Sequence, residues 1–302
     1  MQTGGVDLEL SGQPRRFYDG GPPDGEALPE EPPTIVLERS LDMAVHEFRM
    51  TRRLGYRDRH LGDLLVPADT RTFVTDLTSV PAVFGWLVPR TGRHLPAALL
   101  HDGLVGAPGE PVSYISASGA DIDREEANRV FRDAMADTGT GVVRRWLMWT
   151  AVTVVTMVVG TGTRWSAAER WRWRLTAVAS LGLVVGLGVL ATLDLFDWDD
   201  GPLPGVPWMG DRDWWVELLA GAAGAITLPL LLGLAWGRFR IAGVVAGVSL
   251  ALLLHVTVVI ALLTGLYRGV ESLAGARPRA ALALGGVVAV GAGIVWILAL
   301  AS

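Results

Sequence analysis

The sequence predicts two unlike parts: an α+β N-terminal domain of short antiparallel strands followed by helices, and a C-terminal α-helical transmembrane bundle of about four helices. Three observations carry that expectation. Four apolar runs succeed one another near 175–193, 214–236, 241–266 and 280–301, each close to or beyond the roughly 20 residues that cross a hydrocarbon core. Charge is concentrated ahead of them, with 16 Arg against 22 Asp and Glu in residues 1–145. Within that polar half, period-two alternation gives way to helical periodicity.

Residues 1–33 read as disordered. The stretch SGQPRRFYDGGPPDGEALPEEPP at 11–33 holds six prolines among acids and glycines, and it offers too little apolar surface to offset the entropy of ordering it. No basic segment leads into an apolar run at the N-terminus, so no signal peptide is expected. From 34 to 80, TIVLE, MAVHEFR, LLVP and RTFVTDL read as short strands. PAALLHDGLV at 96–105 reads as a helix with Pro96 in its first turn, where the missing N–H costs little.

Residues 121–138 form the clearest helix of the domain. Asp123 is placed to cap it, with Glu126 three residues on. Ala127, Val130, Phe131, Ala134 and Met135 share one face, and Gly139 ends the helix. The run 146–162 admits three readings: a fifth span, a helix lying at the interface, or the closing helix of the domain. Arg144 and Arg145 at its start favour the last two. The domain is therefore drawn over 34–160 and the transmembrane region over 161–302.

The bundle carries its own signals. Trp171, Trp173, Trp214, Trp215 and Trp236 fall at the edges of runs, where an indole meets the headgroups. Gly182 with Gly186, and Gly243 with Gly247, repeat at the spacing that lets helix backbones approach in lipid. Arg164, Arg170, Arg172 and Arg174 precede the first run, and Arg238 and Arg240 lie between the second and third. The loop after the first run is rich in Asp. The positive-inside rule then places the chain as a multi-pass protein of the cytoplasmic membrane with its N-terminal domain in the cytoplasm. Arg268, Arg277 and Arg279 dissent.

Composition excludes several chemistries. There is no cysteine, hence no disulfide, thiol nucleophile or Cys-ligated metal, and no lysine, hence no Schiff base or P-loop lysine. The net charge of −5 argues against nucleic acid as a partner. The expected partners are the lipid bilayer and a membrane or envelope protein.

VPADTRTFVTDLTSVPAVFGWLVPRTGRHLPAALLHD, followed by DREEANRVFRDAM and RRWLMWTAV, resembles the DUF1353 family of bacterial and phage proteins over roughly residues 60–160. The resemblance lies in the order F-x-T-D-x-x-S-x-P, then G-R-x-x-x-A-A-x-L-H-D, then two helices. It implies the fold of the domain and candidate positions, and no activity. Two departures stand out: the family usually has Tyr soon after the His-Asp pair, where this chain reads HDGLV, and usually has Asp where this chain has Asn128.

The polar residues with chemical potential are Asp76, Thr78, Ser79, His101, Asp102, Asp123 and Glu125. An imidazole with two or three carboxylates can bind Zn²⁺ or Mn²⁺ and leave a position for an activated water. In that scheme Asp76, His101 and Asp102 are metal ligands and Glu125 is a further ligand or the general base. Against it stands a structural reading: an Asp in T-D-x-x-S satisfies loop N–H groups, His101 is a core histidine with one hydrogen bond, and Asp123 caps a helix. The expected function is that of a membrane-anchored binding or envelope-associated accessory module; the alternative is a metal-dependent hydrolase.

Overall fold

The computed structural model describes residues 16–39, 47–77, 89, 91–106, 111–195, 206–209 and 212–278. The expected run at 280–301 lies outside them. Strands β1 (Phe17–Asp19), β4 (Leu54–Asp58), β5 (Gly62–Val66) and β7 (Ile115–Ser116) form one antiparallel sheet in the order β1-β4-β5-β7. Strands β2 (Leu37–Glu38), β3 (Phe48–Met50) and β6 (Val74–Thr75) form a second, in the order β2-β3-β6. The antiparallel-strands-then-helices order is as the sequence implied.

The expectation of disorder fails for residues 16–33. Phe17 pairs in register with Tyr56, and Phe17, Tyr18 and Asp19 are all buried. Asp19 accepts from Arg52 Nε at 2.8 Å and from the Gly21 N–H at 2.8 Å. Averaging over prolines and acids concealed a three-residue strand whose two aromatic rings and one paired carboxylate outweigh the polar flanks. β4 was also missed, because Gly55, Arg57 and Asp58 break its apolar signature. Leu54 and Tyr56 nonetheless alternate inward and are 1 % and 0 % exposed.

The β4–β5 hairpin turns on Asp58. Its Oδ1 accepts the N–H groups of His60 (2.9 Å) and Leu61 (3.0 Å), and Gly62 at φ 74° closes the turn. Under this sheet pack α1 (Leu95–Val105) and α2 (Arg124–Asp137), with Leu64, Val66, Leu99, Leu100, Val130 and Met135 at the centre of the core. Asp123 caps α2 by accepting the Glu126 N–H at 2.9 Å, and Gly139 at φ 67° follows its end, as the spacing predicted. The Glu126 side chain does not complete the box; its Oε1 accepts from Arg129 Nε instead.

Among the described residues four helices are long and apolar enough to cross a membrane: α3 (Val142–Val159), α4 (Ala167–Leu195), α5 (Trp214–Leu234) and the segment Gly237–Ala276. That segment comprises a 3₁₀ turn at Gly237–Phe239 and α6 (Arg240–Ala276). α6 remains helical beyond the expected end of its run, so Arg268 stands on a helix and not in a loop. Ser166 and Glu169 form a reciprocal cap at the start of α4: Ser166 N–H donates to Glu169 Oε2 (2.9 Å) and Glu169 N–H to Ser166 Oγ (3.2 Å). Residues 253–276 belong to a second compact unit and form the distal, apolar part of α6.

Within the first unit the small residues have distinct surroundings. Trp236 is 1 % exposed and its Nε1 donates to Ser180 Oγ at 2.9 Å. A Cβ on Gly243 would stand 2.6 Å from the Trp236 ring, and one on Gly247 would stand 2.7 Å from Pro229. Gly182 and Gly186 have open space at the same position. Gly243→Ala is therefore expected to lower the melting temperature of the detergent-purified chain, by about 1–3 kcal/mol of overpacking. Gly182→Ala is expected to leave it unchanged or slightly raised.

Candidate functional site

β6 ends in Thr75, and the chain then turns through Asp76 and Leu77. Leu77 adopts φ 70°, a left-handed conformation rare outside glycine, while its side chain is buried. Thr75 holds this turn: its Oγ1 accepts the Leu77 N–H at 2.9 Å and donates to Asp102 Oδ2 at 2.7 Å. Asp102 thereby fixes the end of β6 to α1. Burial pushes the Asp102 carboxyl up to about 7, with the charge of Asp76 adding to the rise and the Thr75 hydroxyl opposing it. Asp76 is half-buried. The structure thus brings Asp76 and Asp102 together.

His101 points elsewhere, as adjacent residues on a helix must. Its Nε2 lies 2.8 Å from Asn128 Oδ1 on α2. Asn128 Nδ2 donates to Thr156 Oγ1 on α3 at 2.9 Å, and Thr156 Oγ1 donates to the Val152 carbonyl at 2.8 Å. This sequence of bonds fixes the tautomer. The Thr156 hydroxyl has spent its proton on Val152, so it accepts from the amide, and the Asn128 oxygen faces His101. Nε2 therefore carries the His101 proton and is occupied. Burial lowers the imidazole pKa to about 4, the Asn128 bond opposing and the charge of Arg124 assisting, so the ring is neutral at physiological pH. The His101 ring also sits 4.8 Å from the Phe131 ring.

Glu125 lies in the first turn of α2 and is engaged on its own account. Its Oε2 accepts from Trp165 Nε1 at 3.0 Å and pairs with Arg238 Nη2 at 3.1 Å. Asp123 is the N-cap of α2. Thr78 and Ser79 lie outside the described residues. Among the described residues no group of three or more His, Asp or Glu side chains is arranged to hold a metal ion. The expected ligand set is divided three ways: Asp76 with Asp102, His101 with Asn128, Glu125 with Arg238. The division follows from geometry, since His101 and Asp102 leave α1 in different directions.

Sequence reasoning gave no site role to Thr75, Thr156, Trp165 or Arg238, and it marked Asn128 only as a departure from the family pattern. A signal existed for two of them. Asn128 falls on the buried face of α2, and Thr156 is a hydroxyl on the buried face of α3, so each needed a polar partner.

A cavity of about 150 Å³ opens where α2, α3 and the 3₁₀ turn converge, with Glu125, Asn128, Arg129, Arg132 and Arg238 on its wall. Arg129 is bound by Asp58, Glu126 and Asp133. The Arg132 guanidinium lies over Trp146 (5.9 Å) and Trp149 (5.7 Å). Next to it, Trp165, Trp173 and Phe239 form an aromatic cluster with centroid separations of 5.1–6.3 Å, and Arg238 stands over all three rings. This cluster and the Glu125–Arg238 pair join the α2 end of the domain to the start of α4 and to the turn between α5 and α6.

No curated protein and no solved structure matches the chain. Residues 48–152 match the family model described as "Protein of unknown function (DUF1353)". The match starts at β3, upstream of the expected limit, and stops within α3. This segment of the chain is similar to the DUF1353 family, and α4, α5 and α6 lie beyond the matched residues.

Proposed function

We propose that the chain is a membrane-anchored accessory protein, in which the bundle holds the DUF1353 domain against the cytoplasmic face of the membrane as a binding module for a membrane or envelope protein. The observation that carries this reading is the junction of Glu125, Arg238 and the Trp165–Trp173–Phe239 cluster. It seats the domain directly on the ends of α4 and α6, so the domain and the anchor work as one piece. α3 supports the same placement. It runs beside α2, with Asn128 on Thr156 and Arg132 over Trp149, and a transmembrane α3 would draw the charged face of α2 into lipid at several kcal/mol per charge.

Charge supports this side of the membrane. Arg164, Arg170, Arg172, Arg174, Arg238 and Arg240 all lie at the domain's end of the bundle. At the other end, α4 finishes near Asp194 and α5 starts after Asp213. Such an asymmetry favours the cytoplasm for the arginine side.

Since the chain has no cysteine, single cysteines report topology without background. In intact spheroplasts a membrane-impermeant maleimide should label Asp213→Cys at once, and Val112→Cys only after permeabilisation. Labelling of Val112→Cys from outside would overturn the orientation.

The hydrolase alternative draws on the closeness of Asp76 to Asp102 and the poise of Asp102 near neutrality, which catalytic carboxylates share. Zn²⁺ or Mn²⁺ added to the purified chain separates the two readings. The accessory reading expects an unchanged melting temperature; a saturable rise would favour a metal site.

A further inference from the structure

The loop between α3 and α4 is the starting point. Gly160 ends α3 at φ 71°, and α4 begins at Ala167. Between the end of α3 and the first two turns of α4 lies a cavity of about 410 Å³, lined among others by Gly160, Thr161, Thr163, Arg170, Trp171 and Arg174. Arg170 and Arg174 are one turn apart and share a face of α4.

Their charges are unlike those of Arg164 and Arg238. Arg164 is paired with Asp121 and Asp123, and Arg238 with Glu125. Arg170 and Arg174 instead bond backbone carbonyls. Arg170 Nη1 donates to Trp165 O at 3.0 Å, and Arg174 donates to Val158 O at 2.6 Å and Val159 O at 3.0 Å. Among the described residues neither guanidinium has a carboxylate partner. Each is held in place and keeps its full charge and several N–H donors for the cavity. Glu169, the nearest acid in sequence, is turned back onto Ser166. Gly160 makes room for this arrangement, since a Cβ there would press on the Arg170 stem at 3.1 Å.

The cavity also stands at a defined level. Trp171 at its rim is 57 % exposed and lies under the Arg174 guanidinium at 5.0 Å. From Leu175 onward the outer face of α4 is apolar and open, with Leu175, Val178 and Leu183 all about half-exposed or more. An exposed indole followed by an exposed aliphatic face marks the headgroup layer. A pocket of unpaired arginines at that layer, facing the side of the membrane that gathers arginine, suits a lipid phosphate with its acyl chains lying along α4.

We propose that this cavity binds the phosphate of an anionic phospholipid, gripped by Arg170 and Arg174. The proposal rests on the membrane placement of α4 described above. Its chemistry is that of a phosphate oxyanion, which free phosphate shares.

The test uses the full chain purified in a mild detergent and titrated with phosphatidylglycerol, phosphatidylcholine or inorganic phosphate, reading thermal stability and retained lipid by native mass spectrometry. Phosphatidylglycerol should stabilise the chain saturably and remain bound, and phosphatidylcholine should do neither. Arg170→Gln should weaken phosphatidylglycerol about fivefold or more. Thr161→Asp, at an exposed position on the rim, should do the same while leaving every arginine bond intact, which guards against a folding defect in the first variant. Equal phosphatidylglycerol binding by wild type and both variants would overturn the proposal. So would stabilisation by inorganic phosphate with no preference for the lipid, which would assign the cavity to a soluble anion. A chain that stays monodisperse without detergent would instead overturn the membrane placement, an outcome read before any lipid is added.

Discussion

Asp58→Ala is expected to cost the domain about 3 kcal/mol, the lower part of the range for breaking a buried ion pair. The Asp58 side chain is 0 % exposed and joins two structures at once. It accepts two N–H groups of the β4–β5 turn, and it receives Arg129 through Nη2 at 2.7 Å and Nη1 at 3.1 Å. Removing it leaves two turn donors and part of a guanidinium without partners beneath the sheet. Glu126 and Asp133 still neutralise Arg129, which is why the loss stays at the lower end. Asp58→Asn keeps an acceptor for the turn and should fall between wild type and alanine.

Burial opposes ionisation of Asp58, but the bonds from Arg129, His60 and Leu61 outweigh it and hold the carboxyl below its ordinary range. A depressed carboxyl stabilises the fold above the pKa of the unfolded chain, and that stability is lost as pH falls through the folded value. The midpoint of protease resistance of the domain, followed against temperature at pH 7 and at pH 3, checks both statements. Wild type should lose more on acidification than Asp58→Ala, because the variant has already lost the titrating contact.

Asp102→Asn should act in the opposite sense. The Asp102 carboxyl titrates at about 7 in the fold against an ordinary 3.8, so the folded chain binds the extra proton between those limits. Stability then declines as pH rises through that window, and the full penalty is present above it. Asparagine keeps the acceptor for Thr75 and cannot ionise. The variant should gain about 2 kcal/mol at pH 8 and nothing at pH 4, less than the whole shift implies because Asp102 keeps some contact with water. Melting curves of the two proteins at both pH values decide it. A metal ligand would behave in reverse, since exchanging it would weaken the site at neutral pH.

The two opposite carboxylates show where sequence reasoning succeeds and where it stops. Asp58 gave no signal, because a hydrogen-bonded turn and an arginine 71 residues away leave no local pattern. Asp123, by contrast, could be read as a cap from Glu126 and the apolar face that follows, and the helix is where the spacing placed it. The apolar runs behind α4, α5 and α6 were equally legible, because lipid imposes one requirement on a whole segment. The metal scheme for His101 and Asp102 depended on where two side chains aim, and that is decided by Asn128 on one helix and Thr75 on a strand. Neither lies near them in sequence. For residues 16–33 composition misled, because three residues out of that stretch make the strand.

The passage from α3 to α4 has little slack. Six residues separate Gly160 from Ala167, and Arg174 and Arg164 lash both sides of that passage to carbonyls of Val158, Val159 and Asp121. Under the anchoring proposed above, a domain so mounted would keep a constant height over the lipid headgroups. A partner confined to the same thin layer would then meet it by lateral diffusion at a high effective concentration. A modest intrinsic affinity would be sufficient under those conditions, and a partner whose docking face sat at another height would be refused by reach alone.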